Sequence, residues 1–538
     1  MKKQQSFLKG SLILMLSNII SKTLGAVLKI PLAYILQEEG MAIYNTALSV
    51  YTTILTFITA GIPFAASRMI ASEYAQKNYS SVNKAKKITL TILFVAGLLG
   101  SFVLFSFSDF FAYSMKDPKS SLAIKVIAPS VFFVALGNVY KSYYQGVFNM
   151  VPTAISQIIE SFVKLAVGLF LAYKLINTSL EYSSGGAILG ITAGEIIATF
   201  ILMLMYIPEK KLYKSKIDET DSKNVIVELL KIAVPMLICA IISSSLSLLD
   251  VATIRNSLLH IKFTKESCEK FLLNYSSYTN TFDNLFETMK LSVNGSRWLY
   301  GAYCGYALTI FHLPLGILAT LGTTLMPVIT SALTKKDNNL LHNSFALALK
   351  LTFIIALPCV VIFLLFSEDI LELLFHNTAS AQMLKYIAPG LIFISVSQLY
   401  TVVLHSAGHI IEPFLYGLIA AIVKIISNLV LIPIGTININ GAIIGTCLGS
   451  FVMMILNIHS VKKNFNIKPE LFRVILKPFL CVAIMALSML LINNPMKVLF
   501  KNHVISILST FLVGGVTYLL ALTSLNVLNK KELKGIRP

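Results

Sequence analysis

The chain has 538 residues, of which 56% are hydrophobic and only 13% carry a charge. Soluble domains carry roughly 25% charged residues, so this composition excludes an ordinary soluble protein and indicates an integral membrane protein. The net charge of +19 comes from 44 Lys and Arg against 25 Asp and Glu. Most of the bases lie in short segments between apolar runs, where they set membrane topology, and no nucleic-acid-binding module accompanies them.

The first apolar run, residues 11–36, is long enough to cross a bilayer, which needs roughly 20 residues. It carries Lys22 near its centre and Lys29 further along the same helical face. A lysine at bilayer depth costs on the order of 2.5–3.5 kcal/mol, so it is expected to face water or a partner. Reaching the interface with an extended side chain is a credible alternative for Lys29 and a poor one for Lys22.

Apolar length predicts about fourteen membrane spans. Basic segments follow the second, sixth, eighth and twelfth spans, which by the positive-inside rule places both termini in the cytoplasm. The predicted spans are about 11–36, 42–67, 88–111, 121–147, 152–176, 185–207, 225–252, 299–330, 343–367, 381–406, 413–434, 440–461, 472–493 and 502–528.

The two halves of the chain resemble each other. The motif KVIAP at 125–129 recurs as KYIAP at 385–389, and GAILG at 186–190 recurs as GAIIG at 441–445. Each half has six spans, so the repeats run in the same direction, as in transporters with a site near the bilayer midplane. We therefore predict an all-α membrane fold with two parallel six-helix lobes around a central cavity, plus two extra C-terminal helices.

This interpretation divides the chain into an N-lobe at 1–208, a C-lobe at 209–462, and a last segment at 463–538 with two helices and a cytoplasmic tail. Within the C-lobe, residues from about 253 to 298 are polar and mixed in charge, and topology places them outside. An amphipathic extracellular cap and a disordered insertion are both open interpretations of this stretch.

Charges inside the spans mark the candidate site. Lys164 and Lys424 occupy equivalent places in the two repeats, so pseudo-symmetry predicts that they face each other across the central cleft. Glu160 lies one helical turn before Lys164, at pairing distance, whereas Ala420 stands at the corresponding place before Lys424. Lysines outnumber acids at this depth, which favours an anionic substrate such as a phosphate or pyrophosphate group.

The other charges near the spans have two interpretations each. Glu195 and Asp250 are candidates for proton or sodium coupling or for structural ion pairs, and Asp250 is placed to pair with Arg255. Lys141, flanked by tyrosines, is interpreted as part of an interfacial belt. The substrate-binding candidates are Lys22, Lys29, Lys164, Lys424 and Arg255, and the coupling or ion-pair candidates are Glu160, Glu195 and Asp250.

Enzymatic and metal motifs are absent from the sequence. There is no P-loop, no H-E-x-x-H, and no C-x-x-C among the six cysteines, which mostly lie in apolar runs as small packing residues. We therefore expect neither an enzyme nor a bound cofactor or metal. The energy for transport would come from a Na⁺ or H⁺ gradient, from the membrane potential or from the substrate's own gradient.

Several motifs resemble the stage V sporulation protein B family: ISKTLG at 20–25, KIPL at 29–32, AGIP at 60–63 and LYGAYCGYAL at 299–308. The family belongs to the multidrug/oligosaccharidyl-lipid/polysaccharide superfamily, which includes the lipid II flippases. The resemblance implies a fourteen-helix, two-lobed fold and export of undecaprenyl-pyrophosphate-linked saccharides, such as a peptidoglycan precursor. It also implies that Lys22 and Lys29 occupy the positions of the cationic residues that hold the pyrophosphate in lipid II flippases.

The resulting hypothesis is an alternating-access lipid flippase in the bacterial cytoplasmic membrane, whose partners are the bilayer, a polyprenyl-pyrophosphate-linked saccharide and cell-wall synthesis enzymes. A cation-coupled multidrug exporter of the same superfamily is the first alternative, with Glu195 or Asp250 as its coupling site. A non-transport scaffold for wall synthesis is the second.

Overall fold

A computed structural model describes residues 7–76, 78–212, 222–275, 285–335, 337–409, 411–465, 471–500 and 502–527. Every regular element in these ranges is helical, apart from an isolated bridge between Lys262 and Ile434. The predicted all-α fold is therefore confirmed. The lysines that carried much of the topology prediction lie outside the described residues, namely Lys2, Lys3, Lys77, Lys214, Lys216, Lys336, Lys468, Lys530 and Lys531.

The described α-helices follow one another with short connections, which include a 3-10 turn at Pro118–Ser120 and a π-helical segment at Ala302–Ala307. In chain order they are α1 (Phe7–Thr59), α2 (Ile62–Ala75), α3 (Tyr79–Ser106), α4 (Ser108–Ser114), α5 (Ser121–Gly146), α6 (Val151–Leu175), α7 (Leu180–Leu212), α8 (Ser222–Leu259), α9 (Lys265–Asn274), α10 (Leu285–Thr288), α11 (Val293–Gly301), α12 (Leu308–Lys335), α13 (Asn338–Leu365), α14 (Ser367–Phe375), α15 (Ala381–Ile387), α16 (Gly390–Ser406), α17 (Ile411–Leu431), α18 (Asn440–Phe465), α19 (Leu471–Leu499) and α20 (His503–Ser524).

Within the described ranges, twelve helices are long and apolar enough to cross a membrane, or thirteen if the bent pair α15–α16 is one span. The first of these candidates, Leu16–Tyr74, has 59 residues, far more than the roughly 20 that a bilayer core needs. Gln37 interrupts it, with φ 53° and ψ −168°, directly after the predicted end of the first span. The predicted count of fourteen spans stays a prediction.

The second predicted span, 42–67, is interrupted as well. Gly61 separates the end of α1 from α2 with a φ of 78°, a left-handed conformation that a side chain would strain. A Cβ at this position would also lie 2.5 Å from the carbonyl oxygen of Ala233 in α8. Glycine is therefore required here both by the turn and by the close approach of α8.

The helices form two compact units. The first comprises Met1–Ile261 and Tyr278–Gly305, and the second comprises Lys262–Ser277 and Tyr306–Pro538. In the first unit α1 packs against α5, α6, α7, α8 and α11. This unit therefore includes α8 and α11, which lie beyond the predicted end of the N-lobe at residue 208. The predicted lobe boundaries stay a prediction.

The sequence duplication is visible as a shared packing pattern inside each unit. In the first unit, a Cβ on Gly190 of α7 would lie 2.9 Å from the carbonyl oxygen of Lys164 in α6. In the second, a Cβ on Gly445 of α18 would lie 3.2 Å from the carbonyl oxygen of Lys424 in α17. Both glycines let two helix backbones meet at the same point of the repeated motif.

The repeated proline motif does not give the same helix twice. Pro129 lies inside the continuous helix α5, whereas α15 and α16 meet at Pro389 with a bend of 42°. A proline inside a helix lacks one hydrogen bond and crowds the preceding turn. In α5 the next residue is Ser130, whose hydroxyl donates to the carbonyl oxygen of Ile127 at 2.7 Å, while Gly390 offers no such bond.

The predicted polar insertion at about 253–298 is mostly helical where it is described. In α9, Cys268 and Phe271 are buried, whereas Glu266 and Lys270 are exposed and pair at 2.6 Å. Thr264 begins the helix with a capping box. This part of the insertion is thus an amphipathic helix, while residues 276–284, including Tyr278, lie outside the described ranges.

Candidate functional site

The first unit contains a polar cavity of about 300 Å³ between four of its helices. This volume is at the lower end of the range for small-molecule sites. Its lining side chains come from α1, α5, α6 and α7, in segments that are otherwise apolar: Asn18, Ser21, Lys22, Lys141, Gln157, Glu160, Ser161 and Glu195. We call this cavity the N-unit pocket.

Polar side chains join α1 to α6 along one wall of the N-unit pocket. The hydroxyl of Ser17 donates to Oε1 of Gln157 at 3.1 Å, and that of Ser21 donates to the carbonyl oxygen of Gln157 at 3.1 Å. Lys22 follows directly, lines the pocket and is exposed. The two bonds therefore hold the segment that presents the Lys22 ammonium.

Three charged side chains of α5, α6 and α7 also lie close together in the pocket. Lys141 Nζ lies 3.6 Å from Oε2 of Glu160, and Glu160 is within hydrogen-bonding distance of Glu195. Glu195 is 8% exposed, so it is shielded from bulk water more than its two partners. Glu160 pairs here with Lys141 of α5, whereas the sequence placed it next to Lys164 on its own helix.

Lys29 and Lys164 are not among the residues that line the pocket. Both are half-buried, and the charge of Lys164 acts on Lys29 as well as on Glu195. The N-unit pocket is thus lined by Lys22 and Lys141, with a third ammonium group within electrostatic range. This excess of cations over the two carboxyl groups suits an anion.

Arg255 belongs to a different cluster. Its Nη2 lies 3.5 Å from Oδ2 of Asp117 and donates to the carbonyl oxygen of Lys116 at 2.8 Å. Arg297 Nε donates to the other oxygen of Asp117 at 2.8 Å, and Arg297 Nη1 lies 3.7 Å from Glu39. Asp117 and both guanidinium groups are almost fully buried, and this ion-pair cluster joins α1, α8, α11 and the connection between α4 and α5.

The remaining two predicted site residues lie elsewhere. Asp250 is half-buried on α8, and its charge reaches Tyr300 beside the Arg255 cluster. Lys424 is half-buried in α17 of the second unit. The structure therefore brings Lys22, Glu160 and Glu195 together in one pocket, and the roles assigned to all eight residues stay predictions.

Sequence reasoning missed five lining residues, of which Lys141 matters most. The sequence suggested an interfacial belt with the neighbouring tyrosines, but Tyr143 and Tyr144 are fully buried. Lys86, expected in a loop, is buried too and lies 4.5 Å from the ring centre of Tyr140. The belt interpretation is corrected: these tyrosines pack inside the unit.

One sequence pattern could have identified some of the missed pocket-lining residues. Gln157, Glu160, Ser161 and Lys164 recur at helical spacing and form a polar stripe on α6. The second repeat has Gly417, Ala420 and Ala421 at the first three places and keeps only the lysine. The stripe, and with it the polar lining from α6, is therefore specific to the first repeat.

In the described ranges, no group of three or more His, Cys, Asp or Glu side chains could hold a metal ion. All six cysteines are free thiols.

Two family models match the chain, one in each half. The model of the polysaccharide biosynthesis protein family matches residues 7–259, and that of the lipid II flippase MurJ matches residues 296–511. Stage V sporulation protein B of Bacillus subtilis is 24% identical over 86% of this chain and 84% of its own length. Lipid II flippase MurJ of the same organism is 22% identical over 85% and 82%.

Solved structures share the fold. Lipid II flippase MurJ in an inward closed conformation covers 95% of this chain and 98% of its own, with a TM-score of 0.64 and 15% identity. An inward-facing multidrug resistance MATE transporter of the MOP superfamily covers 85% and 98%, with a TM-score of 0.65 and 12% identity. Among these proteins, MurJ is named as a lipid II flippase and the MATE protein as a multidrug resistance transporter. This chain is therefore similar to the polysaccharide biosynthesis protein family over residues 7–259 and to the lipid II flippase MurJ family over residues 296–511, and it shares the fold of solved MurJ and MATE structures.

Proposed function

We propose that this protein is a lipid flippase that moves an undecaprenyl-pyrophosphate-linked saccharide from the inner to the outer leaflet, and that the N-unit pocket binds the pyrophosphate. The cargo would be a cell-wall unit such as a peptidoglycan precursor, in keeping with relatives named as a lipid II flippase and a sporulation protein. The pocket would open to the cytoplasmic side and then to the outer side of the cytoplasmic membrane.

The observation that carries this proposal is the pair of lysines in the pocket. Lys22 and Lys141 line a cavity in helices that are otherwise apolar, although a membrane lysine is expensive. Ammonium groups bind phosphate oxygens with charge-assisted hydrogen bonds, which are about twice as strong as neutral ones. The cavity, of about 300 Å³, can hold a pyrophosphate group but not a polyprenyl chain, which would stay in the lipid.

A binding measurement tests this proposal. Native mass spectrometry of the purified protein with a prenyl-pyrophosphate saccharide should show retention by the wild type. Lys22→Ala should bind about 10- to 100-fold more weakly, because it removes one charge-assisted contact. Lys174→Ala is the matched control, since Lys174 is exposed in the last turn of α6 and outside the pocket lining. Lys424→Ala reports whether the second repeat contributes, and equal retention by all four proteins would contradict an anion site at Lys22.

A second candidate function rests on the carboxyl groups of the same pocket. Glu160 and Glu195 could hold a cationic compound or its coupling ion, and the MATE transporter shares the fold. Binding of a lipophilic cation such as tetraphenylphosphonium, lost in Glu195→Gln and kept in Lys22→Ala, would favour the drug-exporter function. We give precedence to the flippase because lysines predominate in and around the pocket.

A further inference from the structure

Glu160 of α6 and Glu195 of α7 meet inside the N-unit pocket because the two helices approach closely there. A Cβ on Gly194 would lie 2.8 Å from the carbonyl oxygen of Glu160, so only glycine at this place lets the backbones come so near. The two carboxyl groups are within hydrogen-bonding distance of one another. A hydrogen bond between two carboxyl groups requires that one of them carries a proton.

The surroundings of the carboxyl pair contain the following charged or titratable groups. Helix α1 contributes Lys22 and the buried Tyr51, α5 contributes Lys141, and α6 contributes Lys164. Three cations therefore surround the pair. With one shared proton the pair has a charge of −1, and without it the pair has a charge of −2 beside the proposed anion site.

We propose that the Glu160–Glu195 pair binds a proton and is linked to the pyrophosphate site. This inference rests on the proposed function. Because of the linkage, the pocket holds the anion more tightly when the pair is protonated. Like charges in one site repel, and removing the proton adds a negative charge where the anion must bind. The anion also competes with Glu160 for the ammonium group of Lys141, which lies 3.6 Å from it.

The proton balance is simple. A proton from solution binds one carboxylate oxygen, an O–H bond forms, and this group then donates to the other carboxylate. Linkage is reciprocal, so the anion strengthens proton binding by the same factor by which the proton strengthens anion binding. With one linked proton, the dissociation constant rises by up to tenfold for each pH unit above the point where the free pair loses its proton.

The test is the pH dependence of anion binding. The probe is a short-chain prenyl-pyrophosphate N-acetylglucosamine, a pyrophosphate diester whose two charges do not change between about pH 6 and 9. Calorimetry on the wild type should show weaker binding as the pH rises. In Glu195→Gln the amide stays neutral and can still donate, so this slope should disappear and binding at high pH should be tighter than in the wild type.

Glu181→Gln is the matched control, since Glu181 lies in the first turn of the same helix and outside the pocket lining. It should keep the wild-type slope. A wild-type slope in Glu195→Gln, or no slope in the wild type, would overturn the proton linkage while leaving the anion site in place.

A failure of the proposed function has a different signature. No binding by the wild type at any pH would overturn the anion site itself. In that event infrared spectroscopy still tests whether the pair binds a proton. The wild-type spectrum should contain the band of a protonated carboxyl group, and the Glu195→Gln spectrum should lack it. If the wild-type spectrum has no such band, the proton site is overturned as well.

Discussion

Asp117 is the side chain on which the buried cluster of Arg255 and Arg297 depends. It is fully buried and contacts Arg297 at 2.8 Å and Arg255 at 3.5 Å. Three nitrogen or oxygen atoms of the Asp117–Arg255 pair have no hydrogen-bond partner, so charge pairing between the two groups is their main compensation for burial. Removing one partner of a buried pair leaves an uncompensated charge.

Asp117→Asn should therefore destabilise the protein by about 3–5 kcal/mol, because two buried guanidinium groups lose their shared carboxylate. Trp298 is the single tryptophan, is buried and follows Arg297 directly, so its fluorescence reports melting of this region. Asp109→Asn is the control: Asp109 is exposed and pairs with Lys125 at 3.2 Å, and surface pairs contribute little. Equal melting temperatures for both variants would contradict this account.

The sequence alone predicted some of the residues that line the pocket. Lys22, Glu160 and Glu195 were conspicuous because charges are rare in apolar helices. Asn18 and Gln157 are neutral and gave no such signal, and Lys141 was obscured by its tyrosine neighbours. Asp117 was missed because it pairs with Arg297 across 180 residues of chain, and no local pattern encodes a contact at that separation.

Close contact between α6 and α7 is the feature of the helices that positions the pocket. A Cβ on Gly190 would lie 2.5 Å from backbone atoms of Gly168, and backbone atoms cannot move aside as a flexible side chain can. Further along the same helix contact, a Cβ on Gly194 would lie 2.8 Å from the carbonyl oxygen of Glu160, beside Glu195. The helix separation at Gly190 therefore affects both stability and the meeting of the two carboxyl groups.

Gly190→Ala should destabilise the protein by about 1–3 kcal/mol through overpacking. Gly515→Ala is the control, because Gly515 is helical in α20, a Cβ added there would have no atom within 4 Å, and alanine favours helix by about 1 kcal/mol. Melting temperatures in detergent should fall for the first variant and hold or rise for the second. An unchanged melting temperature in Gly190→Ala would show that the helices can separate freely.

The positions of the helices were easier to predict from the sequence than their breaks and bends. Apolar length located most of the candidate spans, since a bilayer sets a minimum length. The breaks at Gln37 and at Pro389 depend on backbone angles, and the repeated KxIAP motif does not show that the helix is continuous at Pro129 and bent at Pro389.

The whole molecule combines a duplicated transporter fold with a polar stripe in only one repeat. The duplication could be recognised in the sequence because the motifs KVIAP and GAILG recur in similar form. The structure repeats the corresponding glycine contacts between α6 and α7 and between α17 and α18. The polar stripe does not recur. The two extra C-terminal helices pack in the second unit, where the Tyr518 hydroxyl donates to the carbonyl oxygen of Ile354 at 2.7 Å.

Transport of a lipid-linked saccharide is the central claim, and a leaflet-accessibility assay tests it most directly. Proteoliposomes would carry a fluorescent prenyl-pyrophosphate saccharide, with an impermeant quencher reporting its appearance in the opposite leaflet. We predict translocation by the wild type and by Lys174→Ala, and a loss of about tenfold or more in Lys22→Ala. Equal rates in all three would contradict a role for the pocket, and no translocation by the wild type would contradict the flippase function.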